Sequence, residues 1–160
     1  MDKQLVYEKV IQVIEEAYAT AIDAARQAHD TATDKESVAE NKYDTFGLEA
    51  SYLAHGQAKR VAEYEEALDA YRLLGVINLN EHSAIVPGAL VELEDEHGNE
   101  QYFFLGPKAG GLKVNVASKV ITLITSSSPL GKHILGHYVG DEILVTSSGQ
   151  SKSYEIMAIY

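Results

Sequence analysis

Residues 3–29, KQLVYEKVIQVIEEAYATAIDAARQAH, decide the fold. Val10, Ile14, Ala17, Ala21, Ala24 and Ala28 recur at steps of four and three, the seam of a helix built to pack along a second helix. The large seam residues come first and the alanines last, so a hairpin made on this seam should narrow towards its tip. Residues 30–42, DTATDKESVAENK, break the pattern with turn and cap formers. A second helix is expected from about Tyr43 to Leu74, with Leu48, Ala54, Val61, Leu68 and Tyr71 among its apolar positions and Gly75 as its stop. Gly47 and Gly56 lie inside it, and each costs about 1 kcal/mol against alanine unless close packing offsets the loss. Helices of about 27–32 residues would each be about 40–48 Å long. That exceeds what a 160-residue globule requires, so part of the hairpin should project.

From about Val86 the pattern changes to short β-type runs between Gly, Pro, Asn and Ser. Strands are expected near Leu90–Glu94, Gln101–Leu105, Lys119–Thr125, Glu142–Thr146 and Ser153–Ile159, with turns at 96–99 and 147–150. Ser128 followed by Pro129 reads as the N-cap and first residue of a short helix ending near Leu135, with Gly136 as its stop. The fold class is therefore α+β. Residues 1–76 form an antiparallel helical hairpin, 77–87 a linker with 3₁₀ or extended structure, and 88–160 an antiparallel sheet with one short helix.

The net charge is −11, and both halves are acidic. That argues against a broad basic face for nucleic acid, and no stable DNA binding is expected. A basic protein partner fits better. With no cysteine, disulfides and Cys-based zinc sites are excluded. The N-terminus lacks the apolar run of a signal peptide, and no stretch approaches the ~18 apolar residues of a membrane helix. The expected location is the cytoplasm.

In the second half, Gly88-Ala89-Leu90-Val91, Tyr102, Ser128 to Gly136 (SPLGKHILG), Gly140-Asp141-Glu142 and Tyr154…Tyr160 follow one another in an order and spacing that resemble the bacterial Gre transcript-cleavage factors. In the first half, Glu40-Asn41 resembles the Glu-Asn of that family's coiled-coil tip, and Arg60-Val61…Glu65 the Arg-Ile…Glu of its returning helix. The resemblance implies a coiled coil that enters the secondary channel of RNA polymerase and an FKBP-like domain that docks at the channel's mouth. It implies docking roles for Ser128, Pro129, Gly136 and Asp141 and a holding role in the channel for Arg60. The tip acids, here Glu40 and Asp44, would approach the polymerase's catalytic Mg²⁺, near the RNA 3′ end. No cofactor of its own is implied, and any cleavage chemistry would be the polymerase's. Cleaving members place an Asp three residues before the Glu of Glu-Asn, where this chain has Ser37. Counting back from Arg60 instead puts Glu40 at the Asp position and Tyr43 at the Glu position, so neither register restores the pair. A regulator that occupies the channel without promoting cleavage is the alternative.

The tip acids have their own chemical reading. Asp34, Glu36, Glu40 and Asp44 cluster there, and carboxylates four apart on a helix share one face. Mg²⁺ takes one or two such oxygens beside waters and phosphates; a solvated acidic loop is the plain alternative. Lys35, Lys42, Lys59 and Arg60 make a weak basic patch, better read as local pairing such as Lys59 with Glu63. His133 and His137 have zinc spacing but no third ligand. The loop 106–111 is not a P-loop, and Ser126 to Ser128 lie in no Gly-x-Ser-x-Gly motif. Tyr102 and Phe104 should share one face of a strand and Phe103 the other. An FKBP-like shape also raises prolyl isomerisation, but that pocket wants a Trp and the chain has none. A coiled-coil oligomeriser is the remaining reading.

Overall fold

The computed structural model describes residues 1–33, 45–147 and 149–160. It divides into two compact units, Ile14–Leu68 and a second made of Met1–Val13 with Asp69–Tyr160. The fold is α+β, in the order α1 (Lys3–Thr33), α2 (Phe46–Leu74), β1 (Leu90–Asp95), β2 (Glu100–Gly106), β3 (Lys113–Val116), β4 (Lys119–Thr125), α3 (Pro129–Ile134), β5 (Glu142–Ser147) and β6 (Gln150–Ile159).

In the Ile14–Leu68 unit, α1 and α2 run antiparallel. Ala24, Ala28 and Thr31 share a groove with Ala50 and Leu53, whereas Ala17 and Ala21 share one with Arg60 and Tyr64. The α1 seam is where the sequence puts it: Ile14, Ala21 and Ala28 are buried, Ala17 and Ala24 half-buried. On α2 the buried or half-buried positions include Ala50, Ala54, Gln57, Val61, Tyr64 and Leu68, again at steps of four and three. Leu48, expected on the inner side, is 57% exposed. Apolar character misleads here because the α2 seam is made partly of Gln57 and Tyr64, while leucine faces solvent. Gly56 lies off this seam, and a Cβ there would meet nothing within 4 Å.

The other unit holds a six-stranded sheet in the order β3-β4-β2-β1-β6-β5. All neighbours are antiparallel except β2 and β4, which run parallel. Strand β3 was not anticipated. It is four residues long, and its hairpin to β4 turns at Ala117, whose φ is +54°. The 95–99 turn forms as expected: Asp95 Oδ1 accepts from the backbone N–H groups of His97 and Asn99, both at 2.9 Å, and Gly98 takes φ +76°. Strand β6 carries a bulge opposite Glu92 and Leu93, which keeps Ile156 and Ile159 both in the core.

One sheet face buries Val91, Leu93, Leu105, Val145 and Ile156 with Ile134 of α3. Ile85, from the stretch 77–87, is fully buried among them. Its N–H donates to His137 O and its carbonyl accepts from Gly136 N–H, each at 2.8 Å. The other face carries Tyr102 and Phe104, opposite Glu92 and Leu90 in register, as the alternation predicts. The foot of α2 packs on it, and the start of α1 bonds to α2 and to the segment after it. Tyr71 is fully buried with its ring centroid 6.1 Å from that of Phe104. Its carbonyl accepts from the Tyr7 hydroxyl at 2.6 Å, and its own hydroxyl donates to Lys108 O at 3.2 Å. Lys3 Nζ donates to Ile77 O at 2.7 Å.

Candidate functional site

The second-half residues expected to dock, Ser128, Pro129, Gly136 and Asp141, lie on one strip of the sheet unit, from the end of β4 through α3 to the start of β5. The Ser128 hydroxyl caps α3: it accepts from Gly131 N–H at 3.0 Å and donates to Thr125 O at 2.8 Å. Pro129 occupies the first turn, where a missing N–H costs nothing. Gly131 is required as well, because a Cβ there would lie 2.0 Å from Thr125 O. The short helix is thus seated on the end of β4 by Ser128 and Gly131 together. Lys132 and His133 stay exposed on its surface.

The chain leaves α3 through Gly136, with φ +83°, and reaches β5 through a turn ordered by Asp141. Asp141 Oδ2 accepts from Tyr138 N–H and stands 2.9 Å from His137 Nδ1. The backbone bond from Tyr138, then the contact with His137, hold the Asp141 carboxyl below its ordinary range. Gly140 N–H donates to Ile156 O and Ile156 N–H to Asp141 O, so this turn is laced to β6. His133 and His137 do not meet as ligands: His133 Nδ1 contacts Pro129 O at 2.7 Å, and His137 faces Asp141. Among the described residues no group of three or more His, Asp or Glu could hold a metal ion.

Arg60 is exposed on α2, at the rim of a groove of about 270 Å³ lined by Ala17, Thr20, Ala24 and Tyr64. Lys59 stands 3.9 Å from Glu63, the local pairing expected for it. Glu40 and Asp44, with Asp34, Glu36, Lys35 and Lys42, lie outside the described residues, as does Ser148 of the expected 147–150 turn.

Sequence reasoning missed a cluster on the helix-bearing face. The Tyr102 hydroxyl donates to Glu100 Oε2 at 2.5 Å, stands 3.2 Å from Glu92 Oε1 and accepts from Lys119, whose ammonium lies 4.0 Å above the ring. The Tyr160 hydroxyl donates to the other Glu92 oxygen at 3.2 Å. Burial first, then the two carboxylates, push the Tyr102 phenol well above its ordinary pKa. Residues 92, 100, 102, 119 and 160 come together only through the strand order, so no local motif announces them. The cluster ties β1, β2, β4 and the end of β6 together.

No helix among the described residues is long and apolar enough to cross a membrane. Residues 80–160 match the model of the GreA/GreB transcription elongation factor C-terminal domain. A transcription elongation factor GreA from Sinorhizobium medicae is 30% identical over 132 residues, covering 78% of each chain. One from Thioalkalivibrio sulfidiphilus is 29% identical over 102 residues, and the alignment spans 60% of that protein's length and 62% of this chain. The crystal structure of GreA factor homolog 1 from Thermus thermophilus is 22% identical, with 94% of each chain covered and a TM-score of 0.38. The chain belongs to the GreA/GreB family of transcription elongation factors.

Proposed function

We propose that this chain binds RNA polymerase and inserts its helical hairpin into the enzyme's secondary channel, modulating elongation, pausing or the cleavage of backtracked transcripts. The observation that carries this reading is the match of residues 80–160 to the family's C-terminal domain. In this reading the strip of Ser128, Pro129, Gly136 and Asp141 docks at the channel mouth, and Arg60 holds the hairpin within the channel. Glu40 and Asp44 offer the hard carboxylate oxygens that suit Mg²⁺ and approach the polymerase's catalytic ion. The protein acts in the cytoplasm, holds no metal of its own, and reaches RNA only near its 3′ end. A second reading, channel occupancy without cleavage, is favoured by Ser37, which stands where cleaving relatives are expected to place an Asp.

The test is a stalled, backtracked polymerase complex with 3′-labelled RNA. Release of short 3′ fragments, lost in the Glu40→Ala/Asp44→Ala double variant, is the result expected of a cleavage factor. No release, but displacement of a known cleavage factor, is the result expected of the second reading. Neither release nor displacement would overturn both.

A further inference from the structure

The two ends of the sheet are treated differently by the sequence. An edge strand presents unpaired backbone N–H and C=O groups, and proteins usually blunt such edges with short length, charge, proline or a bulge. Strand β3 follows this practice, being four residues long and beginning at Lys113. Strand β5 does not. It has six residues, its register with β6 is unbroken, and Ile143, Leu144, Val145 and Thr146 carry neither charge nor proline. Among the described residues its only strand neighbour is β6. Ile143 and Val145 point into the core, while Leu144 is 60% exposed on the opposite face.

We propose that β5 is a self-pairing edge: a second copy of this chain adds antiparallel to it about a two-fold axis through Leu144. The register follows from the residues. Pairing Leu144 with Leu144 of the second copy sets Ile143 against Val145 on the core side, so the apolar layer runs on across the junction. It also sets the Glu142 carboxylate against the Thr146 hydroxyl, and no like charges oppose one another. Centring on Ile143 would oppose Glu142 to Leu144, and centring on Val145 would oppose Leu144 to Thr146. A slip by one residue would set Ile143 against Leu144 and turn the core face of one sheet to the outer face of the other. The contact is isologous and closes on itself, so it stops at two copies.

Its strength is bounded from both sides. One strand edge buries less than the roughly 1,200–2,000 Å² of a stable interface. Each copy also carries a net charge of −11, which repels at long range. Added salt screens that repulsion and leaves the uncharged run from Ile143 to Thr146 untouched, so association strengthens with salt. A basic segment of some other protein on the same edge would show the opposite salt dependence.

The experiment is sedimentation equilibrium of the full chain from about 10 μM to about 1 mM, a range suited to a weak contact, at low and high salt. The weight-average mass should climb from 17.5 kDa towards twice that value with concentration, and further at high salt. Leu144→Lys changes an exposed side chain and should hold the chain monomeric. The chain has no cysteine, so Leu144→Cys gives a clean second reading. Directly opposed antiparallel residues have Cα atoms about 4.5–5.5 Å apart, within the roughly 4.4–6.8 Å a disulfide spans. Mild oxidation should therefore yield a covalent dimer of Leu144→Cys at least about tenfold faster than of Thr146→Cys, whose partner position is four residues away. A monomer at every concentration and salt would overturn the proposal and leave the edge to an extended segment of a different protein. So would a dimer indifferent to Leu144→Lys, or equal cross-linking of the two cysteine variants.

Discussion

The Tyr71 hydroxyl lies so close over Gly106 that a Cβ on Gly106 would stand 1.8 Å from the phenol oxygen and 2.6 Å from the ring. The foot of α2 is seated on β2 at this point, and the glycine is there because nothing larger fits. Gly106→Ala should cost about 3 kcal/mol or more by overpacking, and Tyr71→Phe about 1 kcal/mol through the lost bond to Lys108 O. Combined, the two should be far from additive, because removing the hydroxyl relieves the worst of the clash while the ring, at 2.6 Å, still presses: Tyr71→Phe should cost less in the Gly106→Ala background than in the wild type. Urea denaturation of the four proteins checks this, and simple additivity would count against the seating.

Gly56 gives the opposite expectation. It sits within α2, exposed, with open space where a Cβ would go. Gly56→Ala should stabilise by about 0.5–1 kcal/mol, from helix propensity and the smaller entropy of the unfolded chain. A rise in the thermal midpoint is the readout.

Two residues seat α3, and they should fail by different amounts. Ser128→Ala removes a cap and should cost about 1 kcal/mol. Gly131→Ala drives a methyl into Thr125 O and should cost more, about 2–3 kcal/mol. If both variants unfold at the wild-type urea concentration, α3 is not held in this way.

Glu94, Glu155 and Glu142 stand side by side across β1, β6 and β5, three like charges in one row. Opposed like charges destabilise a sheet, so Glu155→Lys should convert two repulsions into attractions and stabilise by about 0.5–1 kcal/mol. The gain should shrink at high salt, because the row lines an open groove of about 350 Å³.

Asp141 should make stability fall towards the acid end. Its carboxyl is held below the ordinary range by bonds made only in the folded chain. Its contribution is therefore full above the unfolded carboxylate pKa of about 3.9 and is lost as pH falls through the lower folded value. Asp141→Asn should be less stable than wild type at pH 7, and its stability should change less on acidification from about pH 4 to pH 2. Denaturation midpoints across that range would show it.

The α1 seam and the Ser128 cap were legible because each is written in neighbouring residues, in a period or a four-residue signature. Strand β3 was not, since four residues of alternating burial cannot be told from loop when Gly110 and Gly111 stand just before them. The parallel pairing of β2 with β4 and the Tyr102 cluster depend on strand order, which no local pattern encodes. Leu48 misled for the converse reason: hydrophobicity marked it as inner, but at that turn the seam runs through Gly47 and Ala50. Of the candidate site, the strip from Ser128 to Asp141 could be read from spacing, and its tie to Ile85 could not.

Chain order sets a schedule for synthesis. Strand β6 lies between β1 and β5, and Tyr160 exchanges backbone bonds with Leu90. On the ribosome, β5 therefore has no neighbour to pair with until residues 150–159 have been made. At about 5–20 residues per second, α1 and α2 emerge several seconds before the sheet that seats the foot of α2 can close. During that interval Tyr71 waits without Phe104, and the bare edges of β1 and β5 are open to whatever else the nascent chain meets.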